Sequence, residues 1–259
     1  MTLDADTIAD RLHGLAKDWE VKLIAETPST NSTLADWAQR GAQGPLALLT
    51  EKQTEGRGRR GRQWQTMPGE SLIASLLLRP ETPPDQWHLV TLATGVALAE
   101  AILPIAPVRL KWPNDLILDG EKLGGILVET QITSGGGFLI IGFGININQQ
   151  AFPDELNAIA TSLHCHSGHT LDLNTIAAAT LNALAERIPQ AWNNPSSILQ
   201  RFAELDGVSG PTVTAIEREA GEEIHGTASG VDGRGRLILQ LPAGGFRTLE
   251  DAWSIRWDD

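Results

Sequence analysis

The chain has 259 residues, 41% of them hydrophobic and 20% charged, with a formal net charge of −12 at pH 7. That length admits one large domain plus a small one, and that composition an ordinary buried core. So acidic a protein repels nucleic acid and anionic membrane as a whole, no apolar run reaches membrane-spanning length, and the single cysteine, Cys165, excludes an intrachain disulfide.

The opening stretch, Leu3 to Trp19, carries Ile8, Leu12 and Leu15 at helical spacing and reads as one amphipathic helix. Its Asp4, Asp6 and Asp10 are unlike the basic start of a secretory signal, which together with the lone cysteine points to a cytoplasmic protein. A second helix is expected from near Asn31 to Gln39, stopped by Gly41. Strand-length apolar runs follow at Pro45–Lys52 and Ser71–Leu78. A helix over Gln86–Leu103 comes next, closed by Pro104. Further strands are expected at Val108–Trp112, Leu116–Leu118, Gly125–Thr130 and Phe138–Ile147, with Gly135-Gly136-Gly137 turning between the last two. Asn174–Trp192 and Ser197–Leu205 read as helices. After Gly210-Pro211 the texture changes to short alternating segments, Thr212–Ile216, Ile224–Val231 and Leu237–Leu241. The expectation is an α+β fold, a mixed sheet with flanking helices over residues 1–205, followed by a small β-barrel over 206–259.

Four segments carry chemistry. Gly56-Arg57-Gly58-Arg59-Arg60-Gly61-Arg62-Gln63-Trp64 alternates glycines, which allow close backbone approach, with guanidinium forks suited to carboxylate and phosphate, and ends on an indole face for stacking. On composition alone this is equally an arginine-rich loop for RNA. On an acidic chain, so dense a positive site suits a small anionic ligand better than a long polyanion. Lys111-Trp112-Pro113-Asn114-Asp115-Leu116 forms a polar turn between strands, with oxygens able to help hold Mg²⁺, although an Asn-Asp turn is commonly just a turn. Lys122-Leu123-Gly124-Gly125-Ile126-Leu127-Val128-Glu129 enters a strand through two glycines. Gly142-Phe143-Gly144-Ile145-Asn146 repeats the glycine spacing, without the third glycine and following helix of a dinucleotide fingerprint.

In this order and spacing, the four segments together with Ser29-Thr30-Asn31 and Gln53 resemble the catalytic domain of biotin–protein ligases, and the resemblance extends through the C-terminal module. It implies a class II synthetase-like, biotin–lipoate ligase-like domain followed by an SH3-like barrel. It implies that biotin is activated with ATP to biotinyl-5′-AMP and passed to a lysine of a biotin carboxyl carrier protein. By the same resemblance Ser29, Thr30, Asn31, Gln53, Gly56, Arg57, Gly58, Arg59, Lys122, Gly125, Leu127 and Gly142 would hold biotin. Arg59, Arg62, Trp64, Lys111, Asn114, Asp115 and Asn146 would hold ATP, with Mg²⁺ near Asn114 and Asp115. Lys122 and Arg59 would carry the chemistry. No protein nucleophile is needed.

Gly124 stands where relatives often have alanine, a change expected to leave the pocket intact. Few residues precede Ser29, so no DNA-binding domain and no repressor activity are expected. The partners implied are biotin, ATP and the carrier domain of a carboxylase, with neither DNA nor membrane, and the protein is a monomer or a homodimer. His164, Cys165, His166 and His169 invite a zinc reading, but their spacing matches no standard structural site and a surface loop is expected. Two rivals stay open: a lipoate–protein ligase of the same superfamily, and a non-catalytic biotin sensor or RNA-binding protein.

Overall fold

The structure is a computed structural model that describes residues 2–65, 67–133, 136–207, 212–217, 221, 223–250 and 252–257. Its first helix, α1 (Ala5–Ala9), is much shorter than the periodicity suggests. His13 is extended and Gly14 has φ +54°, so the chain breaks and continues as a 3-10 turn over Gly14–Ala16. Ile8 and Leu12 are buried as expected, but Leu15, swung out by the break, is 60% exposed.

Strand β1 (Glu20–Thr27), which no apolar run announces, leads into α2 (Thr30–Gln39) and β2 (Leu46–Gln53). β3 (Ser71–Leu78) coincides with its apolar run. The next helical segment divides into a 3-10 stretch and α3 (Val90–Ile102). Strands β4 (Arg109–Lys111), β5 (Asp115–Leu118), β6 (Glu121–Thr133) and β7 (Gly136–Asn146) follow. The expected Gly135-Gly136-Gly137 turn lies partly outside the described residues, and Gly136 and Gly137 already belong to β7.

The short α4 (Leu163–Ser167) replaces the loop expected around Cys165, because the Ser162 hydroxyl caps the Cys165 amide at 3.0 Å. The alanine-rich helix is α5 (Leu173–Arg187), separated by Pro189 from α6 (Gln190–Asn193), and α7 is Pro195–Leu205. The change of texture at Gly210-Pro211 lies outside the described residues. Beyond it come β8 (Thr212–Glu217), β9 (Glu223–Val231), β10 (Leu237–Gln240), β11 (Phe246–Leu249) and β12 (Ala252–Trp257).

The first seven strands make one mixed sheet in the order β1-β2-β3-β7-β6-β5-β4, parallel only between β1 and β2. Because side chains alternate across a strand, each strand feeds two layers. Ala47 and Leu49, Leu72, Ala74 and Leu76, and Leu139 and Ile141 face the main core beneath α3 and α5. Leu46 and Leu48, Leu77, and Phe138 and Ile140 face a smaller core covered by α2. The last five strands form an antiparallel sheet in the order β11-β10-β9-β8-β12. The turn between β9 and β10 is held to the large sheet by Trp112, whose indole N–H donates to the Gly235 carbonyl at 2.9 Å.

Candidate active site

Register determines where the α2 side of the sheet stops being packed. Paired residues share a face, so one row across the strands runs Glu129, Ile140, Leu77 and Leu46, and the next runs Leu127, Gly142, Ser75 and Leu48. The row after that runs Lys111, Asp115, Gly125, Gly144, Ile73 and Thr50. Apolar bulk thus gives way within two rows to glycine and small polar side chains. A cavity of about 960 Å³ opens there, near the upper end of the range for small-molecule sites.

Every residue expected at the site lines this cavity except Gly56. Gly56 lies at the base of the arginine-rich loop instead, where its carbonyl accepts from the Trp64 amide at 2.9 Å. The loop folds back on itself as a narrow hairpin, with Gly58 N–H donating to the Arg62 carbonyl at 2.8 Å.

At one end, Ser29, Thr30 and Asn31 enter on the first turn of α2. The Thr30 amide and hydroxyl both donate to Gln53 Oε1, at 2.9 and 3.2 Å. Ser75, wholly buried, places its hydroxyl 2.6 Å from both Thr30 Oγ1 and Asn31 Oδ1. The Asn31 amide nitrogen donates to Glu129 Oε2 at 2.8 Å and to the Leu127 carbonyl at 3.2 Å. Gly142 leaves room for it, since a Cβ there would come within 2.1 Å of Asn31 Oδ1 and force that side chain to shift. This end is neutral and dense in hydrogen-bonding groups.

The other end is cationic. Lys122 Nζ donates to Asp115 Oδ1 at 2.7 Å and lies 5.9 Å from the centroid of the Trp64 ring. The indole rests on Gly144, where an added Cβ would meet Cε2 at 2.5 Å. Arg59 Nη1 donates to Asn114 Oδ1 at 3.0 Å, and the Asn114 amide donates to the Ile126 carbonyl at 2.8 Å, so Asn114 braces the β4–β5 turn with both ends of its side chain. Lys111 is half-buried, and burial lowers its pKa; Asp115 opposes that shift and Lys122 adds to it. Arg62 lines the same end.

Asn146 is turned toward its own chain. Its amide nitrogen donates to the Thr161 carbonyl at 3.0 Å, which fixes Oδ1 to accept from Gln149 Nε2 at 3.1 Å. Gln149 also donates to Ser71 Oγ, leaving its own Oε1 a buried acceptor with no partner. The Trp64 indole N–H is a buried donor likewise without a partner.

Sequence reasoning missed Ser75, Glu129 and Gln149. Ser75 is signalled by a polar residue in mid-strand on the same face as Ser71 and Ile73. Glu129 closes a motif whose glycines drew attention first, and Gln149 follows the last motif with no pattern of its own.

Among the described residues, no three His, Cys, Asp or Glu side chains gather as a metal cluster. Asp115 and Asn114 supply few oxygens, and both already hold protein partners. That donor set suits a magnesium ion carried mainly by phosphate and water oxygens, with Asp115 as its anionic protein neighbour, rather than a protein-built cage. Around Cys165, His166 Nδ1 lies 2.9 Å from Asp119 Oδ2, and the thiol is exposed.

Comparison with known proteins agrees with this geometry. Residues 23–146 match the biotin/lipoate A/B protein ligase family, and residues 208–256 match the biotin protein ligase C-terminal domain. A biotin--[acetyl-CoA-carboxylase] ligase of Mycobacterium tuberculosis is 33% identical over 95% of this chain and 92% of its own length. One of Paracoccus denitrificans is 34% identical over 86% of this chain and 95% of its own. The structure of the Aquifex aeolicus biotin protein ligase in complex with biotin and ATP superposes with a TM-score of 0.80 at 27% identity, over 92% of this chain and 99% of that one.

Proposed function

The chain belongs to the biotin–protein ligase family, and from that premise we propose that its cavity activates biotin with ATP and passes the biotinyl group to a lysine of a carboxylase's biotin carrier domain. The observation that carries this reading is the polarity of one continuous cavity, neutral and rich in hydrogen-bonding groups at one end and cationic at the other. A ureido ring needs the first kind of environment. A carboxylate meeting a triphosphate needs the second.

Biotin's ring is placed against Ser29, Thr30, Asn31 and Gln53, with Leu127 and the Gly142 backbone along its apolar tail and Arg57 and Gly58 above. Its carboxylate then points to Lys122, where the ATP phosphates arrive on the Arg59 and Arg62 side with Lys111 and Asn114 nearby. The base lies against Trp64, beside Gln149, and Asn146 acts by holding Gln149 in place.

Attack of the carboxylate on the α-phosphorus, with the bond to the β-phosphate breaking and pyrophosphate leaving, brings two anions together, and Lys122 and Arg59 offset both that repulsion and the charge developing on the phosphoryl oxygens. Asp115, together with the ATP phosphates, would hold a magnesium ion, which would supply further charge neutralisation. In the second step the neutral acceptor amine attacks the acyl carbon of the mixed anhydride, AMP leaves with the electron pair of the broken C–O bond, and the nitrogen sheds its extra proton to solvent. The loop over residues 56–64 covers the labile adenylate and keeps water from it.

The two lobes, 1–205 and 206–259, divide this work between a catalytic domain and a module docked on Trp112. Among the described residues no helix is long and apolar enough to cross a membrane. We place the enzyme in the cytoplasm, acting as a monomer or a homodimer.

The test is the mass of a purified carrier domain after incubation with this protein, biotin and Mg-ATP. One added biotinyl group, dependent on ATP and absent with lipoate, supports the reading. A gain with lipoate in place of biotin replaces it with the sister activity.

A further inference from the structure

We propose that Glu129 is a positioning residue that couples closure of the 56–64 loop to the shape of the biotin end of the cavity, an inference that rests on the ligase reading above. An acidic side chain beside a site for two anionic substrates is unfavourable unless something balances it. Glu129 stands one row beyond Leu127 on the cavity face of the sheet, and the cavity itself is not lined by its carboxylate.

The two carboxylate oxygens are divided between two different elements. Oε1 accepts from Arg57 Nη2 of the loop at 2.6 Å, and Oε2 accepts from the Asn31 amide of α2 at 2.8 Å. Arg57 Nη1 also donates to Ser32 Oγ at 3.1 Å. One ion pair thus ties the loop, the first turn of α2 and β6 together at the biotin end.

The geometry makes the linkage reciprocal. Ser75 fixes Asn31 Oδ1, so the Asn31 amide nitrogen has to face Leu127 and Glu129. A Glu129 held by Arg57 keeps its second oxygen in place for that nitrogen, and an Asn31 held in place presents Glu129 to the loop. Within the loop, the Gly58–Arg62 and Gly56–Trp64 bonds are internal and shape the hairpin without anchoring it. Arg57 and Arg59 reach across from it, to Glu129 and to Asn114 respectively, and Trp64 rests on Gly144. Glu129 therefore governs how long the loop stays shut over the adenylate, and acts on the chemistry only through Arg57 and Asn31.

Arg57 and Glu129 keep 48% and 32% of their side chains exposed, so the pair contributes modestly and the effect of removing it is expected to be kinetic. Glu129→Gln retains an acceptor for Asn31 and removes the charge that holds Arg57. The experiment compares the wild type, Glu129→Gln, Arg57→Gln and the double variant by two readouts. The first is the rate of tryptic cleavage after Arg60 and Arg62, without ligand and with saturating biotin. The second is the rate at which biotinyl-adenylate escapes into solution when no carrier protein is present.

Each single variant should raise both rates about fivefold, as expected for losing one charge-assisted contact of this exposure. The double variant should go no further than either single, because both remove the same interaction. Glu129→Asp, which keeps the charge on a shorter arm, should fall between wild type and Glu129→Gln. Wild-type rates in Glu129→Gln, or purely additive effects in the double variant, would overturn the role. A wild-type protein that forms no adenylate would sink the ligase reading, while the cleavage rates would still decide whether Glu129 holds the loop.

Discussion

Asp115 Oδ1 and Lys122 Nζ are 2.7 Å apart, and the pair is built into the sheet itself: Asp115 lies opposite Gly125 in the β5–β6 ladder, and Lys122 reaches back over that glycine. Free ammonium groups on four-carbon stems sample many positions. This one is confined beside Trp64, at the boundary between the neutral and cationic ends of the cavity. Asp115 acts as the tether, and Lys122 is the group that meets the reacting oxygens.

Truncating Lys122 should therefore cost more than freeing it. Lys122→Ala is expected to slow adenylate formation by about 10²–10³-fold, the loss seen when one preorganised donor to a developing oxyanion is removed. Asp115→Asn should cost less, because the lysine keeps its charge and what is lost is its tether and one anionic neighbour of the magnesium. Rapid-quench measurement of the first turnover separates the two. Equal losses in both variants would place Asp115 in the chemistry as well.

Ser75 offers a different kind of test, because it touches two residues assigned to biotin and none assigned to ATP. Ser75→Ala leaves Asn31 Oδ1 as a buried acceptor without its donor, which costs about 1–3 kcal/mol. The expected result is a KM for biotin raised about tenfold, within that energy range, with the KM for ATP near wild type. Steady-state kinetics in both substrates decide it, and a matching rise in both constants would show a general loosening of the fold.

Two glycines separate the two ends of the cavity by a single methyl group each. Gly142→Ala drives a Cβ to 2.1 Å from Asn31 Oδ1, and Gly144→Ala drives one to 2.5 Å from the Trp64 ring. The first should weaken biotin selectively and the second ATP, each by about 1–3 kcal/mol of overpacking strain at its own end. Calorimetric titration with biotin and with a non-hydrolysable ATP analogue reads the two effects separately. Both variants losing the same ligand would refute the assignment of the two ends.

Much of this arrangement is written locally in the chain. The strands of the central sheet announce themselves as apolar runs between glycines and prolines, and the four chemical segments fall on strand ends and turns because glycine, proline and charge all mark such places. What stays hidden is set by partners distant in sequence. β1 has too few apolar residues to stand out, and it becomes a strand because β2 lies parallel beside it. Glu129 gains its meaning from Arg57, 72 positions earlier. Asn146 has the composition of a ligand-binding residue, yet its side chain is committed to Thr161 and Gln149. The first helix fails for the opposite reason, because its 3.6-residue periodicity is present but the α-helix stops at Ala9, and the chain past Asp10 goes on through i→i−3 turns to an extended His13.

Acid sensitivity should concentrate at the start of α5, remote from the cavity. Asp172 caps that helix through the Asn174 amide at 3.1 Å, and it also accepts from the Thr175 hydroxyl at 2.7 Å and from Arg11 Nη1 at 3.1 Å. The Thr175 bond, together with the Arg11 and backbone contacts, outweighs burial and holds its pKa down to about 2, against an ordinary 3.8. Between those two values the unfolded chain binds the proton and the folded one does not, so stability rises with pH across that window. The contribution is complete above the ordinary carboxylate value and is lost as the pH falls through about 2. Asp172→Asn keeps a capping oxygen for the Asn174 amide and removes the charge together with the second acceptor oxygen, which takes the Thr175 and Arg11 bonds. At neutral pH it should lower stability by under about 1 kcal/mol, or roughly 2–4 °C in Tm for a chain of this size. Denaturant titrations from neutral pH downward should show the wild-type advantage shrinking toward zero as the acid window is crossed, whereas a pH-independent gap would mean that shape at the cap matters and charge does not.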